Sequence, residues 1–309
     1  MVANPTRSLS REAVLAMGAI PPEATLGWLL RELQATRVVD VEPIRGSSTS
    51  ALHRVTLRFS GGDQTQVVLR RYVLEEVIEE NHNIVAQEIN ALSVAASASV
   101  PTPVLLAADL DAKRTDAPAV VMSWLGGRPR WETKNRRRFL ADLVDAMTAV
   151  AAVEIPSDVH LRSIRGYTQV SYDPPLWATK PRMWERAVEI FQGPVPDSDI
   201  GFVHRDFHPG NVLWRGSKLT GLVDWQSAGI GPASIDPGHC RLNMLYYDPA
   251  MADHLRSLWE QRSQRTYDPW ADVTAIIGVL DSLRSTKNPS RSHLAIEDTL
   301  TRAVADLTG

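Results

Sequence analysis

Alternating apolar and polar positions predict that the first part of the chain is rich in strands. Two helices come first, over 8–18 and 24–36, separated by Pro21 and Pro22. The later pattern predicts strands at 38–44, 52–59 and 66–73 with a turn at 61–63, a helix at 80–98, and strands at 104–108 and 119–124. Short connections join the first three strands, so we expect them to form an antiparallel meander.

Helical periodicity dominates after the glycine- and proline-containing break at 126–129. The pattern predicts helices at 137–153, 182–191, 236–247, 250–264, 270–284 and 292–307, and strands at 212–214 and 219–223. We therefore predict an N-terminal lobe at 1–125, made of a helical extension (1–37) and a part containing sheet and helix (38–125). The C-terminal lobe is predicted at 126–309.

The composition excludes several classes of protein but does not indicate an activity. The 309 residues are 44% hydrophobic and 22% charged, with a net charge of −3, so a nucleic-acid partner is not expected. Cys240 is the only cysteine, which excludes an internal disulfide. The first 18 residues contain no apolar core of signal-peptide length, and the apolar run at 146–153 is too short to cross a bilayer. We expect a cytoplasmic protein with no membrane partner, and the oligomeric state stays open.

The candidate chemistry lies in FVHRDFHPGNVLW at 202–214 and GLVDW at 221–225. Asp206 and Asn211 are five residues apart, and Asp224 ends an apolar strand. Two carboxylates and an amide offer only oxygen ligands, the kind that Mg²⁺ prefers. If Asn211 and Asp224 bind the metal, Asp206 is left to accept the proton of a hydroxyl that attacks a γ-phosphate. Protein kinases have the same H-R-D-x-x-x-x-N spacing.

HRDFHPGN followed by LVDW resembles the aminoglycoside phosphotransferase and choline kinase-like family of small-molecule kinases. The resemblance runs from about Val38 to the C-terminal helices. His208 stands where a Ser/Thr protein kinase usually has lysine, and Trp-Gln rather than Phe-Gly follows Asp224. These departures favour a small-molecule acceptor over a protein. The resemblance implies an α+β, bilobal protein-kinase-like fold, with a small antiparallel-sheet N-lobe and a larger, mainly helical C-lobe.

The same resemblance implies roles for five residues of the motif region. Asp206 matches the family's catalytic base, and Asn211 and Asp224 match its magnesium ligands. His204 matches the histidine that braces the catalytic loop, and Asp236 matches an aspartate that supports the loop. The implied cofactor is Mg²⁺, with ATP or GTP as co-substrate.

A loop between the first two strands is the candidate phosphate clamp. Gly46, Ser47 and Ser48 are small enough for backbone N–H groups to approach phosphate oxygens. A glycine- and serine-containing turn is also the ordinary composition of a hairpin, so both interpretations stay open. The family commonly has more glycine here.

Arg70 in VVLR takes the place of the lysine in the V-A-I-K strand of protein kinases. The resemblance implies that Arg70 contacts the α- and β-phosphates and that Glu88 pairs with it. An Arg–carboxylate pair can be bidentate, which would fix the direction of the guanidinium. Arg71 would face the other side of a regular strand, where we expect it to be solvated.

The strand at 119–124 resembles the segment that binds the purine in these kinases. Met122 is implied to lie at the back of the purine pocket, with the backbone of Ser123 and Leu125 at the purine edge. Because backbone atoms make these contacts, the sequence does not separate ATP from GTP.

We expect a phosphotransferase that acts on a hydroxyl of an aminoglycoside-like molecule or of another antibiotic or sugar. The alternatives are a choline or amino-alcohol kinase and a catalytically silent nucleotide-binding protein of the same fold. A zinc hydrolase using His204, Asp206 and His208 is a further alternative. The candidate acceptor-binding residues are acidic or aromatic: Tyr246, Tyr247, Asp248, Asp253, Trp259, Glu260, Tyr267, Asp268, Trp270, Asp272 and Asp281.

Overall fold

A computed structural model describes residues 9–131, 133–164, 169, 171–197 and 199–309. The chain forms two compact units. The sheet unit contains the described residues from Leu9 to Ala96 together with Thr102–Gly126, and the helical unit contains the described residues of Ser97–Pro101 and Gly127–Gly309.

The secondary structure of the described residues contains both helices and strands. The helices are α1 Arg11–Gly18, α2 Glu23–Glu32, α3 Glu75–Glu80, α4 Ile84–Ala95, α5 Arg136–Ala151, α6 Pro181–Gln192, α7 Ile235–Leu245, α8 Pro249–Ser263, α9 Trp270–Ile277, α10 Leu280–Arg284 and α11 Arg291–Thr308. The strands are β1 Arg37–Ile44, β2 Ala51–Arg58, β3 Gln64–Arg71, β4 Leu105–Asp109, β5 Ala119–Ser123, β6 Arg128–Pro129, β7 Ile200–Val203, β8 Val212–Arg215, β9 Lys218–Leu222 and β10 Gly229–Pro232.

The sheet unit is built on five antiparallel strands in the order β1-β2-β3-β5-β4. The first three strands form the predicted meander. Side chains of β2 alternate between buried and half-buried positions, as expected when one face of a sheet covers a core. Trp28 of α2 packs into that core against Val55 and Leu69, so α2 closes one face of the sheet. β3 is a central strand, which places Arg70 inside the unit.

The N-terminal helices are fastened to the sheet by Arg71, contrary to the prediction that this side chain is solvated. Arg71 is buried, pairs with Asp116 at 2.5 Å, and donates to the carbonyl of Ala19 at 2.9 Å. The hydroxyl of Thr25 in α2 also donates to Asp116, at 2.7 Å. In the described chain no single helix is long and apolar enough to cross a membrane; α1 and α2 pass only as a pair, bent by 43°.

Two predicted helices are interrupted in the structure. The predicted helix at 80–98 is wrong at its start, because α3 ends at Glu80 and α4 begins at Ile84. Asn81 accepts from the backbone of Asn83, a local bond that competes with helix continuation. The predicted helix at 270–284 is divided into α9 and α10 around Gly278, whose carbonyl accepts from Gln169 at 3.1 Å.

Short strands in the helical unit hold the segment that carries the motif. β7 pairs with β10, two four-residue strands that the sequence pattern did not predict, and β6, β8 and β9 form a second small sheet. Phe202 of β7 stacks on Trp225 with ring centroids 5.7 Å apart. Helix α5 packs against β7, and α5, α7, α8, α9 and α11 pack on one another. The loop after β7 and the turn after β9 are thereby anchored on packed elements.

Candidate active site

The loop that follows β7 is fixed through its backbone by the first turn of α7. The N–H groups of His204 and Arg205 donate to the two carboxylate oxygens of Asp236, at 2.9 and 2.7 Å. Burial raises the pKa of Asp236, although these bonds and nearby histidines work in the opposite direction. Arg205 has φ 68°, a left-handed conformation that costs a non-glycine residue about 1 kcal/mol. The two bonds to Asp236 hold the loop in this bend.

Two donors, from Asn211 and His239, make three contacts with the carboxylate and carbonyl of Asp206. Asn211 Nδ2 lies 3.1 Å from carboxylate oxygen Oδ2 and 2.9 Å from the carbonyl oxygen. His239 Nε2 lies 3.0 Å from Oδ1. Burial alone raises the pKa of Asp206, but the hydrogen bond from His239, with the neighbouring histidines, holds that pKa well below its usual range. Asp206 is therefore a carboxylate at neutral pH, with both oxygens directed.

His208 lies beside Asp206 in an aromatic stack. Burial lowers the pKa of His208 to about 4, so the ring is uncharged at neutral pH. Its Nδ1 accepts from the N–H of Gly210 at 3.0 Å, and its Nε2 is 3.8 Å from Asp206. The ring stacks on Trp131 at 5.4 Å, and Trp131 stacks on Tyr247 at 4.8 Å. Trp131 was not predicted as a site residue, because an isolated tryptophan matches no motif.

Asn211 and Asp224 are held next to each other through Val223. The N–H of Val223 donates to the carbonyl of Asn211, and the Val223 carbonyl accepts from His204 Nε2, both at 2.9 Å. Asp224 follows directly and has φ 71°. Because Asn211 Nδ2 is bonded to Asp206, its oxygen Oδ1 is the atom that can face a cation. An amide oxygen beside a carboxylate is a donor set that suits Mg²⁺.

In the sheet unit, Arg70 and Glu88 form an ion pair of 3.0 Å in which both side chains are at least 96% buried. The hydroxyl of Tyr72 donates to the second oxygen of Glu88 at 2.7 Å. Burial, followed by the charge of Glu88, raises the pKa of Tyr72, so Tyr72 stays a donor. The guanidinium of Arg70 thus has a fixed carboxylate partner on α4.

The loop between β1 and β2 is closed on itself by Ser47. The Ser47 hydroxyl accepts from the N–H groups of Thr49 and Ser50, at 3.4 and 3.2 Å, and also lies 3.2 Å from the hydroxyl of Ser50. Gly46 has φ 112°, where a side chain would be strained. Ser48 is half-buried between these residues.

The predicted purine-binding residues lie at the end of β5. Met122 is buried and is paired in register with Val68 of β3 and Leu105 of β4. The N–H of Ser123 donates to the carbonyl of Val104 at 2.9 Å. Of the Ser123 backbone groups, only the carbonyl is therefore a candidate for the purine edge. Leu125 follows the strand and is half-buried.

The geometry gives the zinc alternative no support. The described residues contain no group of three or more His, Cys, Asp or Glu side chains arranged to hold a metal ion. His204 Nε2 is committed to Val223, and His208 Nδ1 is committed to Gly210.

Several of the candidate acceptor-binding residues have structural roles. Trp259, Tyr267, Trp270 and Asp272 are buried. Asp272 pairs with Arg241 and accepts from the Tyr267 hydroxyl. Tyr247 is 38% exposed and lies on Trp131, which in turn stacks on His208 of the loop at 204–211. Among the aromatic candidates, Tyr247 is the one that combines exposure with contact to this loop's aromatic stack.

Comparison with known proteins identifies the family. Residues 40–272 match the model of APH, the phosphotransferase enzyme family. The chain belongs to this family. No curated protein matches this phosphotransferase.

Solved structures of similar fold include a thermostable mutant of aminoglycoside phosphotransferase APH(4)-Ia in ternary complex with ADP and hygromycin B. It is 14% identical with TM-score 0.57, and the match covers 93% of this phosphotransferase and 99% of that chain. Macrolide 2'-phosphotransferase MphH from Brachybacterium faecium is 14% identical with TM-score 0.54, covering 90% and 98%. APH(2")-IIa, in a ternary complex with streptomycin and ATP, is 12% identical with TM-score 0.54, covering 90% and 95%. These similarities confirm the predicted α+β, protein-kinase-like fold.

Proposed function

We propose that this phosphotransferase transfers the γ-phosphoryl group of ATP or GTP to a hydroxyl of a small molecule, an aminoglycoside-like compound or another antibiotic or sugar. The observation that carries the proposal is the pair of side-chain contacts by which Asn211 and His239 direct the carboxylate of Asp206 in the loop after β7. Membership of the phosphotransferase enzyme family supports the reaction class. Hygromycin B, streptomycin and ATP in the names of similar structures support the choice of substrates to test first.

Asp206 is the proposed catalytic base. A carboxylate whose pKa is held low is a weak base, so its first task is to accept a hydrogen bond from the hydroxyl and align the oxygen. Phosphoryl transfer proceeds through a loose transition state that demands positioning more than early proton removal. The hydroxyl proton then passes to Asp206 late in the transfer. His204 and Asp236 support this role by holding the loop backbone.

Asn211 Oδ1 and the Asp224 carboxylate are the proposed magnesium ligands. Bound there, Mg²⁺ would neutralise charge on the phosphates. This chain's contribution is to present an amide oxygen and a carboxylate together, by tying Asn211 to the residue before Asp224. Asp224 has a left-handed backbone, and strained conformations of this kind cluster at functional sites, which supports a functional role for its side chain.

The sheet unit supplies the proposed nucleotide contacts. Arg70, oriented by Glu88, contacts the α- and β-phosphates. The Gly46, Ser47 and Ser48 loop covers the phosphates through its backbone. Met122 lies behind the purine, and the purine edge meets the carbonyl of Ser123 and the N–H of Leu125.

The proposal is tested by incubating the purified protein with Mg²⁺, γ-labelled ATP or GTP, and a panel of acceptors. The panel contains aminoglycosides, macrolides, other sugars, choline and amino alcohols. Magnesium-dependent labelling of an antibiotic or sugar hydroxyl is expected. Labelling of choline or an amino alcohol alone would instead favour the amino-alcohol kinase. Nucleotide binding without transfer or hydrolysis would favour the silent nucleotide-binding protein.

A further inference from the structure

One face of α7 contacts three successive residues of the catalytic loop. Asp236 and His239 are three residues apart on α7, so their side chains lie on the same side of the helix. Asp236 accepts from the backbone of His204 and Arg205, and His239 reaches the side chain of Asp206. The helix therefore fixes both the path of the loop and the direction of its carboxylate.

The remainder of α7 is anchored so that the His239 ring has a defined position. Arg241 donates to the carbonyl of Ala252 at 3.0 Å and pairs with buried Asp272. At Gly238 a Cβ atom would lie 2.8 Å from the Cβ of Ala271 and 2.9 Å from its carbonyl carbon, so α7 and α9 approach closely because Gly238 has no side chain. His239 itself is 8% exposed.

We propose that His239 is a positioning residue for phosphoryl transfer, donating from Nε2 to Asp206 Oδ1 so that Oδ2 faces the acceptor hydroxyl. This inference rests on the proposed function. Asn211 contacts the same carboxylate, but its amide oxygen also serves as a proposed metal ligand. His239 is not one of the proposed metal ligands. Its hydrogen bond therefore holds the Asp206 carboxylate whether or not the cation is bound.

A purely structural histidine would contribute packing alone. Replacing it would then change stability and leave the kinetics of the folded enzyme unchanged. A positioning histidine acts through its donor, so its loss lowers kcat while nucleotide binding persists. The side chain of glutamine can place an N–H close to the position of Nε2, whereas phenylalanine keeps a ring and removes the donor.

The kinetic test compares His239→Phe and His239→Gln with the unchanged protein on an acceptor identified in the panel. For His239→Phe we expect a fall in kcat of roughly 10- to 100-fold, the scale of a misplaced catalytic group, with the nucleotide KM within about twofold. His239→Gln is expected to recover kcat to within about fivefold of the unchanged protein. His254→Gln, which alters an exposed histidine of α8, is the matched control and should keep full activity.

Equal kcat in His239→Phe and the unchanged protein would overturn the proposal. So would an equal loss in the Phe and Gln variants, because the donor would then not matter. A fall in nucleotide affinity that accounts for the whole loss would also overturn it, since the effect would be structural.

A spectroscopic test separates this inference from the proposed function, because it needs no turnover. Nitrogen-15 NMR of histidine-labelled protein should show His239 protonated at Nε2, with slow exchange of that proton. In Asp206→Ala the signal should weaken through faster exchange. An Nδ1-protonated ring, or a signal that Asp206→Ala leaves unchanged, would overturn the proposed contact. Absence of transfer to any acceptor would reject the proposed function while this measurement still decided the contact.

Discussion

One amide nitrogen, Nδ2 of Asn211, donates to both the carbonyl and the carboxylate of Asp206, at 2.9 and 3.1 Å. Asp206→Asn replaces the carboxylate by a neutral amide and so removes the proton acceptor. We expect kcat to fall by about 10²- to 10⁴-fold, the range for loss of a general base. Nucleotide affinity measured by calorimetry should stay within a few-fold. Transfer at the original rate would remove Asp206 from the role of base.

The left-handed backbone of Asp224 allows its functional and conformational roles to be separated. Asp224→Gly removes the carboxylate and relieves the strain, so the unfolding free energy should rise by about 1 kcal/mol. Asp224→Asn removes the charge and keeps a residue that tolerates this backbone. Both variants should lose the Mg²⁺-dependent part of nucleotide binding in titrations with and without the metal. Magnesium-dependent binding that survives in both would reject the ligand assignment.

Substitutions in the buried Arg70–Glu88 pair are expected to affect stability and nucleotide binding differently. Glu88→Ala leaves Arg70 buried without its carboxylate and removes the acceptor of Tyr72, so we expect a loss of about 3–5 kcal/mol. Tyr72→Phe, which removes one hydrogen bond, should cost about 1 kcal/mol.

Replacing both members of the pair with apolar residues, as Arg70→Met with Glu88→Leu, should restore most of that stability. Nucleotide affinity should not return, because the proposed phosphate contact is gone. Denaturant titration and calorimetry on the same samples measure the two effects. Full nucleotide affinity in the double variant would show that Arg70 has only a structural role.

His53 of β2 predicts a loss of stability in mild acid. Burial lowers its pKa from 6.5 to about 4, and the charge of Arg71 acts in the same direction, while the Ala19 carbonyl and Asp116 oppose the shift. Between these values the unfolded chain binds a proton that the folded chain does not, so stability falls as the pH falls through this range. The contribution from about pH 7 to about pH 5 is roughly 2 kcal/mol.

Urea denaturation at the two pH values measures this effect. His53→Leu should lose less stability on acidification than the unchanged protein, by roughly that amount. His254→Gln is exposed and serves as the control, which should keep the full dependence. An unchanged slope in His53→Leu would assign the acid sensitivity to other groups.

The sequence predicted the fold because the signals that define it are local. Strand alternation in β1–β3 and the spacing of Asp206, Asn211 and Asp224 can be recognised without knowing any tertiary contact. β7 and β10 were missed, since each has only four residues and Gly229–Pro232 contains glycine and proline. The break before α4 depends on a side-chain bond of Asn81 that competes with the helix.

The parts of the site that escaped prediction depend on tertiary structure. His239 lies 33 positions after Asp206 in the chain, and a single histidine in a helix matches no motif until the helix is placed. Arg71 was expected to be solvated because alternation places it opposite Arg70, but both faces of β3 are covered at this end. Trp131 likewise becomes a candidate site residue only when its contacts with His208 and Tyr247 are known.

Gly238 of α7 lies directly against Ala271 of α9. A small change in side-chain size at Gly238 would therefore affect the loop at 204–206, although that loop is distant in sequence. A methyl group added at Gly238 would have to displace α7, and with it the two side chains that hold the loop. Attempts to raise thermal stability by filling space along α9 would thus be expected to cost turnover first. Libraries aimed at new acceptors are better directed to the exposed surface around Tyr247, where side chains can change size without moving the helix.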